Sequence, residues 1–207
     1  MIHTIDNLLQ RLANTLAEAR VKQGEVRKAR KDEVFFWAPS RSSSVKPGMK
    51  VPPFKVPSSA RDHLVEAERM AEVVRAAKYK DRPPREGSVM VCPTLEGFCG
   101  GYMFKGRPVF MVKVKGTIFT TDGDAWTDVA ANMFDFMHGL KNPDGRYGQS
   151  MDDFVIEKTH EIQTSIDTYW RGASRDLPET LVDGTVTVIR EVAPDKIKAI
   201  RKARNQD

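Results

Sequence analysis

An α+β fold is predicted for this 207-residue chain, in which helices pack on an antiparallel β-meander. Short β-branched and aromatic runs punctuated by glycine fill residues 88–121, whereas the segments before and after repeat apolar residues at helical spacing. The predicted parts are a helical arm (1–33), a single core domain (34–193) that includes a flexible loop (39–59), and a basic C-terminal tail (194–207).

The helices are predicted from apolar spacing together with residues that start or end helices. In the arm, the apolar positions are Ile5, Leu8, Leu9, Leu12 and Leu16. An amphipathic helix from Thr4 to about Val21 follows, and the helix-compatible basic residues 26–33 extend it. Its apolar face is available for self-association. Further helices are predicted from Ser58 or Ser59 to Lys80, from Asp122 or Asp124 to Gly139, from Met151 to Trp170, and from Pro194 to the end.

The strands are predicted from β-branched and aromatic runs. Glycines at Lys105-Gly106-Arg107 and Lys115-Gly116-Thr117 are interpreted as tight connections between them. Alternation places Phe110, Val112 and Val114 on one face, with Lys113 and Lys115 on the other. The predicted strands are Val34–Trp37, Val89–Cys92, Tyr102–Lys105, Val109–Val114, Thr117–Thr121 and Thr185–Arg190.

The formal charge of +5 hides a strong segregation of charge along the chain. Residues 20–31 carry a net +5, residues 39–58 carry +4, and residues 97–121 carry +4, the last two without an acid. The tail adds +3, so all other residues together carry −11. Basic blocks set against an acidic remainder favour a polyanionic partner.

Three of these blocks supply the candidate nucleic-acid-binding residues. Sheets that bind single strands place cations along the phosphates and stack bases on exposed aromatic rings. The alternatives are that the aromatic rings of residues 97–121, which include Phe98, Phe110 and Phe119, are core, that the loop is a solvated linker, and that the tail contacts an acidic partner or hangs free. The candidates are Tyr102, Phe104, Lys105, Arg107, Lys113 and Lys115 in the sheet, Arg41, Lys46, Lys50 and Lys55 in the loop, and Lys198, Arg201 and Lys202 in the tail.

Other site chemistries have little support in the sequence. Cys92 and Cys99 lack the partners and spacing of a zinc site and are expected to be buried structural thiols. They are also too few for a disulfide framework and too widely spaced for a redox pair, which indicates a reducing compartment. No phosphate loop, no nucleophile with a plausible base and no cluster of carboxylates stands out. We therefore expect no metal, no cofactor and no enzymatic activity. No segment is long and apolar enough for a membrane span, and a cytoplasmic location is expected.

In size, charge segregation, basic arm, proline-rich loop and basic aromatic sheet, the chain is similar to small phage-encoded single-stranded-DNA-binding RNA polymerase cofactors. The likeness is one of character and covers no motif, so no functional residue is carried over. The resemblance implies a protein that holds locally melted promoter DNA in the host cytoplasm, recruits a phage RNA polymerase and works as an oligomer.

The resulting hypothesis is a protein that binds single-stranded DNA with little sequence preference, as a transcription or replication cofactor. An alternative is a structural or assembly protein whose basic arms dock on neighbouring subunits. A nuclease or other enzyme acting on nucleic acid is disfavoured, because such enzymes need clustered carboxylates that bind metal.

Overall fold

The computed structural model describes residues 26–39, 44–100, 107–146, 148–172 and 177–204. These residues belong to two compact units, each assembled from separate stretches of chain. We call them the helical unit (Val56–Arg82 and Gly123–Arg171) and the sheet unit (the described parts of Gly24–Lys55, Pro83–Asp122 and Gly172–Asp207). The elements are β1 (Val26–Lys28), β2 (Val34–Trp37), α1 (Asp62–Lys78), β3 (Val89–Val91), α2 (Leu95–Gly100), β4 (Phe110–Asp122), α3 (Gly123–Lys141), a 3₁₀ turn (Pro143–Arg146), α4 (Met151–Arg171), β5 (Pro178–Glu191) and α5 (Pro194–Arg204).

An antiparallel sheet of five strands forms the centre of the sheet unit, which confirms the α+β prediction. The long strands β4 and β5 pair along their whole length, from Phe110 opposite Glu191 to Asp122 opposite Pro178. Both β1 and β2 pair with the other edge of β4, and β3 pairs with β5. The predicted meander is wrong, because strands that are consecutive in the sequence are not neighbours in the sheet. Two helices separate β4 from its partner β5 in the sequence, and β1 pairs with β4 instead of pairing with β2.

A backbone bridge beyond β3 closes these strands into a ring. Phe36 in β2 and Cys92, directly after β3, donate backbone hydrogen bonds to each other, both 2.8 Å long. Strand β2 therefore contacts both β4 and the end of β3, and the ring runs β2, β4, β5, β3 and back to β2. Its interior holds an apolar cluster made of Phe35, Val51, Val89, Val91, Phe110, Val112, Val114, Ile118, Val182, Val186 and Val188.

Gly116, which was predicted to form a tight connection, lies instead in the middle of β4, and the other predicted connection, at Gly106, lies outside the described residues. Gly116 pairs directly with Gly184, and both have positive φ. A Cβ on Gly116 would lie 2.2 Å from the carbonyl oxygen of Asp183, so only glycine fits. The predicted break between Val114 and Thr117 is therefore wrong, since the glycine permits close strand approach and β4 continues unbroken. The same pairing explains why β5 begins before Asp183 and Gly184.

Two segments before β3 differ from their predicted conformation. Residues 26–33 were expected to be helical, but Val26–Lys28 forms β1 because it completes the edge of β4. The described part of the proline-rich loop lacks a regular element, as predicted, but it is attached to the sheet. Val51 N–H donates to Val186 C=O over 2.9 Å, and Gly48 N–H donates to Val188 C=O over 2.8 Å. This part of the loop is therefore an irregular edge of β5 and not a solvated linker.

Two short helices pack together in the sheet unit beside β2. Ile197 of α5 is buried with Leu95, Phe98 and Cys99 of α2, and Ile200 packs against the same cluster. The basic tail is therefore a docked amphipathic helix rather than a free extension. The predicted N-terminal helix, the predicted strand Tyr102–Lys105 and the last three residues lie outside the described residues.

The helical unit consists of α1, α3 and α4, close to their predicted boundaries. The α3 helix continues beyond Gly139 because this glycine is a packing site. A Cβ there would lie 2.1 Å from the Phe154 ring of α4. The indole N–H of Trp170 donates to the Ala71 carbonyl over 3.0 Å, which fixes α4 against α1.

A partly buried ion pair reinforces the contact between α1 and α4. Lys78 Nζ lies 2.6 Å from Asp167 Oδ1, and the Tyr79 hydroxyl donates to the same oxygen over 2.6 Å. Burial acts to raise the pKa of Asp167, but the hydrogen bonds from Lys78 and Tyr79 outweigh it and hold this pKa below its ordinary value. Among the described residues, no helix is both long and apolar enough to cross a membrane.

Candidate nucleic-acid interface

Alternation along β4 separates a core face from a charged outer face. Val112 and Val114 are buried inside the ring, whereas Lys113 and Lys115 are exposed on its outside. This confirms the predicted alternation for these residues. Because side chains of paired residues share a face, the register of the sheet identifies which other residues join the two lysines.

The neighbouring strands bring two more lysines to this outer face. Lys113 is paired with Thr187 of β5, and Thr187 is bridged on its other side by Lys50. Lys115 is paired with Thr185 one rung further along. On the third rung, Thr117 is paired with Lys28 of β1, whose Nζ donates to the Thr117 hydroxyl over 2.8 Å. We call Lys28, Lys50, Lys113 and Lys115 the lysine face.

Three stretches distant in the sequence thus supply cations to one surface. The rungs are two residues apart, or about 7 Å, so the three rungs extend over about 14 Å. Lys50, Lys113 and Lys115 are exposed and form no ion pair with any described residue. Asp183 opposes Thr117 on the third rung, which leaves the four lysines and this acid with a net charge of +3.

The charge of the lysine face belongs to a wider division between the two units. In its described residues the sheet unit has 17 Lys and Arg against 9 Asp and Glu, a formal charge of +8. The described residues of the helical unit have 10 Lys and Arg against 14 Asp and Glu, a charge of −4. The charge segregation noted in the sequence is therefore largely a difference between the two units.

Helix α5 borders the lysine face at the start of β4. Met111 lies on the same face as Lys113, two residues earlier, and packs against the cluster that contains Ile197. The predicted tail cations therefore lie on a helix at one end of this face. Lys198 and Lys202 are exposed, and Arg201 is half-buried. Lys198 lies 4.0 Å from Asp195, a weak surface contact.

The remaining predicted cations are not brought to this face by any described pairing. Arg107 is exposed just before β4, and Lys46 and Lys55 are exposed on the proline-rich segment on either side of Lys50. Four other candidates, namely Arg41, Tyr102, Phe104 and Lys105, lie outside the described residues.

Three of the described aromatic residues in and near β4 are core residues rather than stacking platforms. Phe98, Phe110 and Phe119 are all buried, Phe98 against α5 and Phe110 inside the ring. The alternative that these rings are core is therefore confirmed. On the described part of the outer face, the polar side chains beside the lysines are threonines, which can donate hydrogen bonds to phosphate oxygens.

Lys28 is the residue that the sequence did not reveal. It belongs to a three-residue strand, which is too short to show alternation, and the surrounding residues favour a helix by composition. Its neighbour Arg27 is not counted among the phosphate-binding candidates, because its guanidinium group forms an ion pair with Glu33 at 2.5 Å. The hydrogen bond from Arg27 also lowers the pKa of Glu33.

Neither cysteine has the features of a reactive or metal-binding thiol. Both are buried and free of disulfides, and burial raises the pKa of Cys92 to about 11. Within the described part of the chain, no three His, Cys, Asp or Glu side chains converge as a metal site would require. No protein-family model matches this chain, and a search of curated proteins finds no significant match.

Proposed function

We propose that this protein binds single-stranded DNA with little sequence preference, and that the lysine face is its main contact with the phosphates. The observation that carries the proposal is the convergence of Lys28, Lys50, Lys113 and Lys115 on one exposed sheet face. Such a convergence costs mutual repulsion that an anionic ligand would relieve. A surface that contacts only solvent gains nothing from placing four like charges together.

The contacts available on this face predict a mainly electrostatic mechanism. Each ammonium group that meets a phosphate releases condensed counterions, so affinity falls as the salt concentration rises. Thr187 lies between Lys113 and Lys50, and Thr185 lies beside Lys115. Both hydroxyl groups can donate hydrogen bonds to phosphate oxygens. Phosphate contacts of this kind carry no base information, which accounts for the weak sequence preference.

A single strand suits this surface better than a duplex. Duplex readers usually place a helix or a two-stranded ribbon into a groove. Here the cations lie on the outer face of a sheet, and both β4 and β5 are flanked by further chain. A flexible single strand can follow such a face and vary its path.

The resemblance to phage polymerase cofactors extends the proposal to a biological role. A bound single strand would be held with its bases free, since the proposed contacts are to phosphates. We propose a transcription or replication cofactor that presents such a strand to an RNA polymerase, and that acts as an oligomer.

Chemical protection of lysines tests where the strand binds. We expect a thymidine oligonucleotide of about 20 nucleotides to slow the acetylation of Lys50, Lys113 and Lys115 several-fold, measured by mass spectrometry. Lys80 and Lys141 of the helical unit are exposed and serve as internal controls. Equal protection of all five lysines, or protection of the two controls alone, would show that the lysine face is not the site.

A further inference from the structure

The helical unit has a groove of its own, between the start of α1 and the end of α3. Its apolar part is formed by Phe134 and Met137. Phe134 is 48% exposed, although the same helix also has a well-buried face. The Phe134 ring is nevertheless in contact with two neighbouring side chains.

Two histidines fix the orientation of the exposed ring. His63 of α1 contacts Phe134 edge to face, with ring centroids 5.2 Å apart, and His138 stacks on it at 6.1 Å. A ring that is both exposed and held by neighbours loses little conformational freedom on binding. Rigid aromatic side chains of this kind are frequent anchors in protein interfaces.

The charges around this ring define what could cover it. Arg61 and Lys141 line the groove, are exposed, and form no ion pair with any described residue. Asp62 is the acidic residue in the lining. This small basic site lies on a unit that is acidic as a whole, so its charge stands out from its surroundings.

The start of α1 adds a second attraction for negative charge. Arg61 occupies the N-cap position and provides no side-chain hydrogen bond to the first turn. The first backbone N–H groups of a helix lack partners within the helix, and carboxylates are favoured beside them. An acidic side chain in the groove could therefore meet Arg61, Lys141 and the helix start together.

We propose that this groove docks an acidic peptide segment of a partner protein, with an apolar side chain seated against Phe134. An acidic segment matches the two cations and the helix start, while the apolar anchor matches the exposed ring. The groove and the lysine face lie in different units and share no residue, and the proposal does not depend on DNA binding. The protein would thus have one surface for nucleic acid and another for a protein.

Fluorescence anisotropy with a defined peptide tests the proposal. The probe is a fluorescein-labelled peptide of about 15 residues, rich in Asp and Glu, with a central Leu-Phe pair. We expect it to bind the full chain, and we expect Phe134→Ala and Lys141→Glu each to weaken binding about tenfold. A peptide with Ala in place of Leu and Phe should bind at least tenfold more weakly.

Ile156→Ala is the matched control variant, because Ile156 is 69% exposed on α4 of the same unit but does not line the groove. It should bind the peptide as well as the unmodified chain does. The proposal is overturned if the peptide does not bind, or if all three variants bind it equally. It is also overturned if Phe134→Ala changes the oligomeric state, since a second copy would then occupy the groove. A loss of single-stranded DNA affinity in Lys141→Glu would likewise assign the groove to nucleic acid.

Discussion

Reversing the charge of Lys113 and Lys115 together should weaken binding to single-stranded DNA by about 25-fold or more at about 0.1 M salt. For single strands, each neutralised phosphate changes the logarithm of the affinity by about 0.7 times the logarithm of the salt concentration. Two lost contacts therefore remove about 1.4 decades at this salt concentration, and the new glutamates add repulsion. The slope of affinity against salt should also become shallower by about 1.4.

The measurement is a salt titration of fluorescence anisotropy with a labelled oligonucleotide. Lys80→Glu with Lys141→Glu is the matched control, because it reverses two exposed lysines of the helical unit and changes the net charge equally. All three proteins should keep their circular dichroism spectra, since the altered side chains are exposed. If the control lost as much affinity as the Lys113 and Lys115 variant, the loss would not be specific to the lysine face.

Gly116→Ala should destabilise the protein by more than about 3 kcal/mol, because overpacking and backbone strain act together there. The added Cβ would meet the Asp183 carbonyl oxygen at 2.2 Å and the Gly184 Cα at 2.9 Å. Both neighbours are backbone atoms, so β4 and β5 would have to separate at their centre. The positive φ of Gly116 adds a further penalty for any other residue.

Urea denaturation of the variant measures this effect, with Gly87→Ala as the control. Gly87 also has a positive φ, but a Cβ there would have nothing within 4 Å. The control should cost only about 1 to 2 kcal/mol, from backbone strain alone. Equal losses of stability in the two variants would mean that the close approach of β4 and β5 does not constrain Gly116.

Long helices were predictable because their signal is local and repeated. In α3 and α4 the apolar residues recur over several turns, so their approximate bounds follow from periodicity alone. The end of α3 was less predictable. Gly139 looks like a helix stop in the sequence, but its role is to admit the Phe154 ring from another helix.

The sheet was less predictable because its order depends on pairing between distant residues. In the sequence, a glycine between two β-branched runs looks the same whether it forms a turn or allows two paired strands to approach closely. Only the opposing Gly184, 68 positions later, distinguishes the two cases for Gly116. Strand β1 was missed for a similar reason, since three residues acquire their conformation from the edge of β4.

The candidate site was recognised in part. Alternation within one strand was enough to place Lys113 and Lys115 together on the face opposite Val112 and Val114. Lys50 was a candidate by charge, but its position beside Thr187 depends on the bridge to β5. Alternation also cannot tell which side of a strand is covered, which is why the Phe110 and Phe119 rings remained ambiguous in the sequence.

The most direct test of the account is the affinity of the unmodified protein for labelled single-stranded DNA, duplex DNA and RNA of equal length across a salt series. We predict that single-stranded DNA binds more tightly than the duplex, with an affinity that falls steeply as salt rises. RNA measured in parallel defines the preference between the two kinds of single strand. Absence of binding to all three would contradict the account. The basic surfaces would then serve protein contacts, as in the alternative of a structural or assembly protein.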